Sequence, residues 1–235
     1  MGFVQTRTIA TRIRRDYADI TGGCGNPSKM PGLSYGIPAS ECKTGRKLAQ
    51  VEGSVCSTCY AFERGNYAYD NVVKSQWKRP GLYNADPIGW QVGFIKSLRE
   101  NLESMSPAQR YFRWHDSGDI QSVSHLASIA AVCIAVPELD FWLPTKEPAM
   151  VAKFLNGGGF LPDNLIVRIS APMVDQELTL RGILASHGQI ATSSVRTDGE
   201  HACIASKQGG ACDGELEACR KCWSVEVADV SYPLH

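Results

Sequence analysis

The sequence predicts an α/β fold with a parallel sheet and helices outside it. Three observations carry this. Four β-rich runs are spread along the chain, stretches long enough for a crossover separate them, and apolar residues repeat at helical spacing both before the first run and between the first two.

In chain order, residues 1–20 come first, with Arg7, Arg12, Arg14 and Arg15 against Asp16 and Asp19. They read as a solvated basic arm or as a phosphate contact. Residues 21–60 are rich in Gly, Pro and Ser, as in Thr21-Gly22-Gly23-Cys24-Gly25-Asn26-Pro27 and Met30-Pro31-Gly32. That composition predicts neither a long helix nor a regular strand, and so long a loop in a compact protein is usually functional. A helix is expected from Pro87, with Asp86 as N-cap and Ile88, Phe94, Ile95, Leu98 and Leu102 mostly on one face. A strand is expected at 111–114. A second helix follows Ser122 and carries Val123, Leu126, Ile129, Ala130, Cys133 and Ile134; Cys133 lies inside this stripe and reads as a core thiol. Further strands are expected at 139–143, 165–169 and 189–192.

Composition excludes several function classes. The chain has 235 residues, enough for one domain or one domain with an appendage. Its 24 basic and 24 acidic residues cancel, which argues against gripping duplex DNA through overall charge. With 43% hydrophobic and 20% charged residues it is not a disordered chain. The longest apolar stretch, from Ile129 to Pro137, is less than half of a membrane span. The N-terminus has no apolar core of a secretion signal, so a cytoplasmic location is expected.

The cysteines are the first chemical signal. Of nine, Cys24, Cys42, Cys56 and Cys59 come early, Cys133 stands alone, and Cys203, Cys212, Cys219 and Cys222 come late. In a reducing compartment, clustered thiols point to metal or catalysis rather than disulfides. The late set closes with a CxxC and reads as a closed four-thiol site, either zinc or a fully ligated iron–sulfur cluster. Residues 201–235 are therefore expected to form a metal-binding tail after an α/β domain over 1–200. The early set is Cys42, then Cys56-x2-Cys59. With Cys24 it makes a second closed site; without Cys24, three thiols hold a cluster and leave one iron open.

Polar residues gather past each expected strand: His115-Asp116-Ser117-Gly118-Asp119, then Thr145-Lys146-Glu147, then Ser170 after a strand that already contains Arg168, then Ser193, Ser194 and Arg196. In a parallel α/β fold the strand C-termini share one face, and ligand sites are built there. Two carboxylates, an imidazole and a glycine within five residues suit a ligand better than a plain turn. Lys146 and Glu147 read as site residues or as a pair with each other.

Two resemblances follow. Gly25-Asn26 with Lys29, Cys42 and Cys56-Ser57-Thr58-Cys59-Tyr60-Ala61 resemble the phage family named after mycobacteriophage gene product 88. So does the tail, with Cys203, Gly209-Gly210, Cys212, Cys219-Arg220 and Cys222-Trp223. The layout is also similar to radical S-adenosylmethionine (SAM) enzymes, in which an early three-cysteine loop ending CxxC precedes a partial parallel (β/α) barrel. The chain departs from that pattern in its long first gap and in Thr58, where an aromatic residue is usual.

The second resemblance implies the following. Cys42, Cys56 and Cys59 ligate a 4Fe-4S cluster, and SAM chelates its open iron. His115, Asp116, Ser117 and Asp119 sit at the SAM amino contact. Arg168 and Ser170 serve its carboxylate and ribose, and Lys146 joins the cofactor site. Cys203, Cys212, Cys219 and Cys222 hold a second centre, 4Fe-4S or zinc, that is structural or relays electrons. The expected activity is reductive cleavage of SAM to a 5′-deoxyadenosyl radical acting on an unassigned substrate (a nucleotide, nucleic acid or protein), with an electron donor as partner. The rival expectation is a non-catalytic zinc or iron–sulfur protein. It would contact a host protein, or nucleic acid through the Arg7–Arg15 arm and a patch of Lys74, Trp77, Lys78 and Arg79.

Overall fold

The computed structural model describes residues 17–62, 65–196 and 202–234. The Arg7–Arg15 arm lies outside them. Six strands form one sheet: β1 Leu33–Tyr35, β2 Tyr111–Trp114, β3 Asp140–Thr145, β4 Leu165–Ser170, β5 Ile190–Val195 and β6 Asp229–Tyr232. Every neighbouring pair is parallel, and spatial order equals chain order. Around them lie α1 Lys43–Leu48, α2 Asp70–Ala85, α3 Pro87–Leu102, α4 Val123–Ala135, α5 Pro148–Asn156 and α6 Ile183–Ser186. Among the described residues no helix is long and apolar enough to cross a membrane.

The four expected strands and two capped helices are present. Asp86 Oδ1 accepts the Gly89 N–H at 2.8 Å and Ser122 Oγ accepts the His125 N–H at 3.0 Å, each satisfying a donor that a helix start would leave open. Cys133 is fully buried in the core, as its place in the apolar stripe requires.

Three expectations need correction. The 21–60 segment does contribute a strand, β1. It pairs with β2 in the register Leu33↔Phe112, and Gly32 permits the approach because a Cβ there would overlap the Tyr111 carbonyl. Strands β3 and β5 run two and three residues further than their apolar runs, so Thr145, Ser193 and Ser194 are strand residues rather than loop residues. Residues 201–235 are not an appendage: β6 is the sixth strand of the sheet, pairing Ser193↔Val230 with β5.

Sequential order has a physical consequence. Right-handed crossovers between successive neighbours put every connecting helix on the same side. The main core lies there, with Phe94 and Leu98 of α3, Leu126 and Ile129 of α4 and Val151 of α5 packed on Phe112, Trp114, Phe141, Leu143, Val167 and Ile169. The other face carries the alternate residues, and a second cluster forms where Trp142 meets Cys222, Trp223 and Val230. The tail covers the face that no helix reaches.

Candidate functional site

A cavity of about 280 Å³ opens at the C-terminal ends of β2 to β5. Its wall includes Cys42, Cys56 and Cys59 from the early loop, His115 to Asp119 after β2, Lys146 after β3, and Ser170 of β4. The structure thus gathers three of the four early thiols with most of the strand-end residues.

The thiols are placed by local structure. Cys42 is the N-cap residue of α1. Ser54 Oγ donates to the Leu48 carbonyl and accepts the Ser57 N–H at 3.1 Å, and Val55 N donates to Pro172 O at 2.9 Å, which ties the CxxC turn to the residues after β4. Gly45 lies between two sulfurs: a Cβ there would stand 3.5 Å from Cys56 Sγ and 3.6 Å from Cys42 Sγ. Burial pushes the Cys42 thiol up, as do Asp119 and the other two thiols, while Lys146 opposes the shift. Burial likewise raises Cys56, with Lys146 again opposing. Cys24 is elsewhere, packed on the main core, where burial raises its thiol to about 12 against the opposing charge of Arg79. Among the described residues no group of three or more His, Cys, Asp or Glu is arranged to hold a metal ion.

The strand-end residues divide into free and committed groups. Asp119 is buried, and its carboxylate is committed: Oδ1 accepts from Thr145 Oγ1 at 2.6 Å and the Ile120 N–H at 2.8 Å, and Oδ2 accepts the Lys146 N–H at 2.8 Å. Burial still pushes its pKa up to about 6 against those bonds. Ser117 Oγ donates to Ile37 O at 2.6 Å. Asp116 differs. Its Oδ2 accepts from Ser34 Oγ at 2.7 Å, while Oδ1 is buried without a hydrogen bond, against Gly36, where a Cβ would overlap it. His115 has φ 52, a left-handed backbone that a residue with a Cβ seldom adopts. Neither of its buried ring nitrogens has a hydrogen-bond partner. Burial and then His125 hold its pKa well below the usual imidazole value. Glu147 does not pair with Lys146: its Oε1 accepts the Thr44 N–H at 2.7 Å at the start of α1. Ser170 Oγ is 3.1 Å from Ser193 Oγ, a hydroxyl pair on the cavity wall.

Arg168 is not among the residues that line the cavity. It is fully buried, and its guanidinium donates to Cys222 O, Thr192 O, Lys221 O, Ser224 O and Val227 O at 2.6–3.0 Å. It faces the same side of β4 as Ser170, but two residues deeper, where it meets the tail. Its guanidinium is therefore committed to the tail rather than open to a ligand.

The late cysteines come together beside this clamp. Burial raises Cys212 to about 11, followed by the effects of Cys203 and Cys219. Cys222 is raised to about 12 by burial, with Cys203 and Cys212 adding to it, and its Sγ lies 3.0 Å from the Tyr232 hydroxyl. The Cys219 N–H donates to Cys212 O at 2.8 Å.

The surface patch on α2 is smaller than its sequence implies. Lys74, Trp77 and Lys78 are exposed, but Arg79 turns inward, with Nη1 donating to Gly36 O at 2.6 Å. Conversely, sequence reasoning missed Arg113, Trp142 and Tyr232, which line the cavity. Arg113 sits inside a strand, not past its end; the period-two alternation with buried Phe112 and Trp114 is the signal that places it on the cavity side.

No curated protein and no solved structure matches the chain. A family model described as Gene product 88 matches residues 6–224. That span takes in both cysteine sets and five of the six strands, and the chain belongs to the Gene product 88 family.

Proposed function

We propose that this cavity is the reactive site of a radical SAM-like iron–sulfur enzyme, on a sheet that serves as a partial (β/α) barrel. The observation that carries the reading is that Cys42, Cys56 and Cys59 line the same cavity as the strand-end residues of β2 to β4, with Cys24 apart. Three thiols that share a cavity without converging on one point suit a cluster of several irons, each thiol on its own iron, better than a single ion. Gly45 leaves beside two of the sulfurs the space that a side chain would fill. Cys42, Cys56 and Cys59 would hold a 4Fe-4S cluster there, which, once reduced by an external electron donor, would supply the one-electron chemistry of reductive SAM cleavage.

The chain's own residues then have distinct tasks. Asp116 Oδ1, buried and unpartnered, offers a carboxylate acceptor to an α-amino group. Asp119 positions instead: both of its oxygens already accept from its own chain, which fixes the Lys146 backbone and Thr145. The Ser170 and Ser193 hydroxyls suit a ribose. Lys146 balances thiolate charge at Cys42 and Cys56. The late cysteines hold the second centre, 4Fe-4S or zinc, and brace the tail against the sheet.

The test is anaerobic reconstitution with iron and sulfide, calorimetry with SAM, then dithionite reduction and assay for 5′-deoxyadenosine. Bound iron and sulfide with SAM binding and 5′-deoxyadenosine are expected. An intact cluster with neither SAM binding nor 5′-deoxyadenosine removes the enzymatic reading and leaves a non-catalytic metal-binding protein.

A further inference from the structure

One cationic side chain in the cavity is left unmatched by the tasks above. Arg113 of β2 projects from the face opposite the helices, and its Cζ lies 4.5 Å from the centre of the Trp142 ring. Its Nε is buried without a hydrogen bond. Its two terminal nitrogens have only long contacts, Nη1 to Met30 Sδ at 4.0 Å and Nη2 to the Tyr60 hydroxyl at 3.5 Å. Among the described residues no carboxylate is within ion-pair distance of it; Asp116 acts on it only through space. Arg168, two strands over, shows the contrast, with each of its three nitrogens donating to at least one carbonyl and five carbonyls in all. A guanidinium presents five donors in a planar fork that matches carboxylate and phosphate. Leaving that fork unmatched in a partly dry cavity is costly unless a ligand completes it.

The cavity is also two-ended. Lys146 acts on Cys42 and Cys56, whereas Arg113 acts on Cys212 of the late set and stands by Trp142 and Tyr232. The Trp142 and Tyr232 rings are 6.5 Å apart and nearly parallel, at 19°. They give the arginine end an aromatic wall next to its charge.

We propose that the arginine end of the cavity is a subsite for an oxyanion of the substrate, a phosphate or carboxylate, bound by the Arg113 guanidinium beside the Trp142 ring. Calling the bound molecule a substrate rests on the reading of this cavity as the reactive site; oxyanion binding itself does not.

The experiment uses the full chain and two probes, inorganic phosphate and acetate, in calorimetric titrations of wild type, Arg113→Gln and Arg113→Lys, each also titrated with SAM after reconstitution. Wild type is expected to bind at least one probe. Arg113→Gln should weaken that binding about ten-fold or more, and Arg113→Lys should recover part of it, since lysine keeps the charge and loses the fork. SAM binding should change less than about two-fold, the size of a lost weak contact. Phenylglyoxal labelling of wild type, mapped by mass spectrometry, covers the case of a variant that does not fold. Arg113 should label and be protected by the bound probe, and the fully bonded Arg168 should not label. Binding of neither probe, equal binding by Arg113→Gln, or no protection of Arg113 overturns the subsite. Loss of SAM binding in parallel with the probe overturns it too, since Arg113 then serves SAM itself. Wild type that binds a probe but not SAM leaves the subsite standing and sinks the SAM reading alone.

Discussion

Arg168 Nε donates to the Cys222 carbonyl at 3.0 Å, joining the fourth strand to the last cysteine of the chain across 54 positions. Four more carbonyls, three of them from residues 221–227, close around the same guanidinium. The tail is thus held to the sheet by this side chain as well as by β6 and by Trp223, whose Nε1 donates to the Phe112 carbonyl at 3.0 Å.

Arg168→Gln should release that hold. A glutamine amide has two N–H donors for five carbonyls, and each buried carbonyl left bare costs about 1–3 kcal/mol. A loss of at least roughly 3 kcal/mol is expected in urea denaturation, with new protease cleavage between Cys203 and Ser224. Unchanged cleavage in that segment would show that the tail is retained without Arg168.

Single serine substitutions should separate the early thiols. Cys42→Ser, Cys56→Ser and Cys59→Ser are expected to lose most reconstituted iron and sulfide. Cys24→Ser should keep it, because Cys24 packs on the main core away from the cavity. Iron content per chain decides. Equal loss in Cys24→Ser would mean a closed four-thiol site and no open iron.

Gly45→Ala sets helix preference against space. Alanine in α1 gains roughly 1 kcal/mol of helix propensity. Its Cβ would sit 3.1 Å from Cys42 Cβ and within 3.6 Å of both sulfurs. The expected variant is folded, with circular dichroism like wild type, and takes up less iron and sulfide. Full uptake would mean the thiols turn away from Gly45 when loaded.

Asp116→Asn and Asp119→Asn should fail in different ways. Asp116 has an unpartnered oxygen, so its variant is expected to fold normally and to weaken SAM binding about ten- to a hundred-fold, the worth of a charge-assisted bond. Asp119 holds three donors from its own chain, so its variant should lose stability first. Calorimetry and denaturation on both proteins check the pair of outcomes.

His125 makes stability depend on pH. Its Nδ1 accepts the Gln121 N–H at 3.2 Å, and burial holds its pKa down to about 4. An unfolded histidine titrates near 6.5, so the unfolded chain takes the proton first. This contribution is whole above about pH 6.5 and is lost as pH falls toward 4, roughly 3 kcal/mol in all. His125→Asn offers Oδ1 in place of Nδ1 and cannot titrate. Its stability should fall less than that of wild type between pH 7 and 4, and matching slopes would assign the acid sensitivity to other groups.

Most of the sheet and two of the helices were legible because their residues follow simple periods and caps. The runs beginning at Tyr111 and Leu165 alternate or stay apolar long enough to read, and Asp86 and Ser122 mark helix starts. β1 is three residues between two glycines, too short to show a period, and exists because β2 lies beside it. Helix α2 was missed because Pro80 interrupts it and its apolar residues do not fall on one face. The three cavity thiols were legible from spacing. Arg168 was misplaced because sequence gives the side of a strand and not the depth: two residues separate a cavity wall from a buried clamp. Arg113 was overlooked for the converse reason, since a charge inside a strand reads as a solvent-facing residue until something covers that face.

The equality of spatial and chain order bears on how the molecule is made. Each strand joins the edge left by the one before it, and none has to slip between two that are already paired. The sheet can therefore grow in step with synthesis, always presenting its newest strand as the docking edge. Tyr232 and the cluster around Trp223 follow β5 in the chain. Until that segment docks, the cavity lacks the part of its wall that Tyr232 supplies, and Trp142 lacks the cover of Trp223 and Val230.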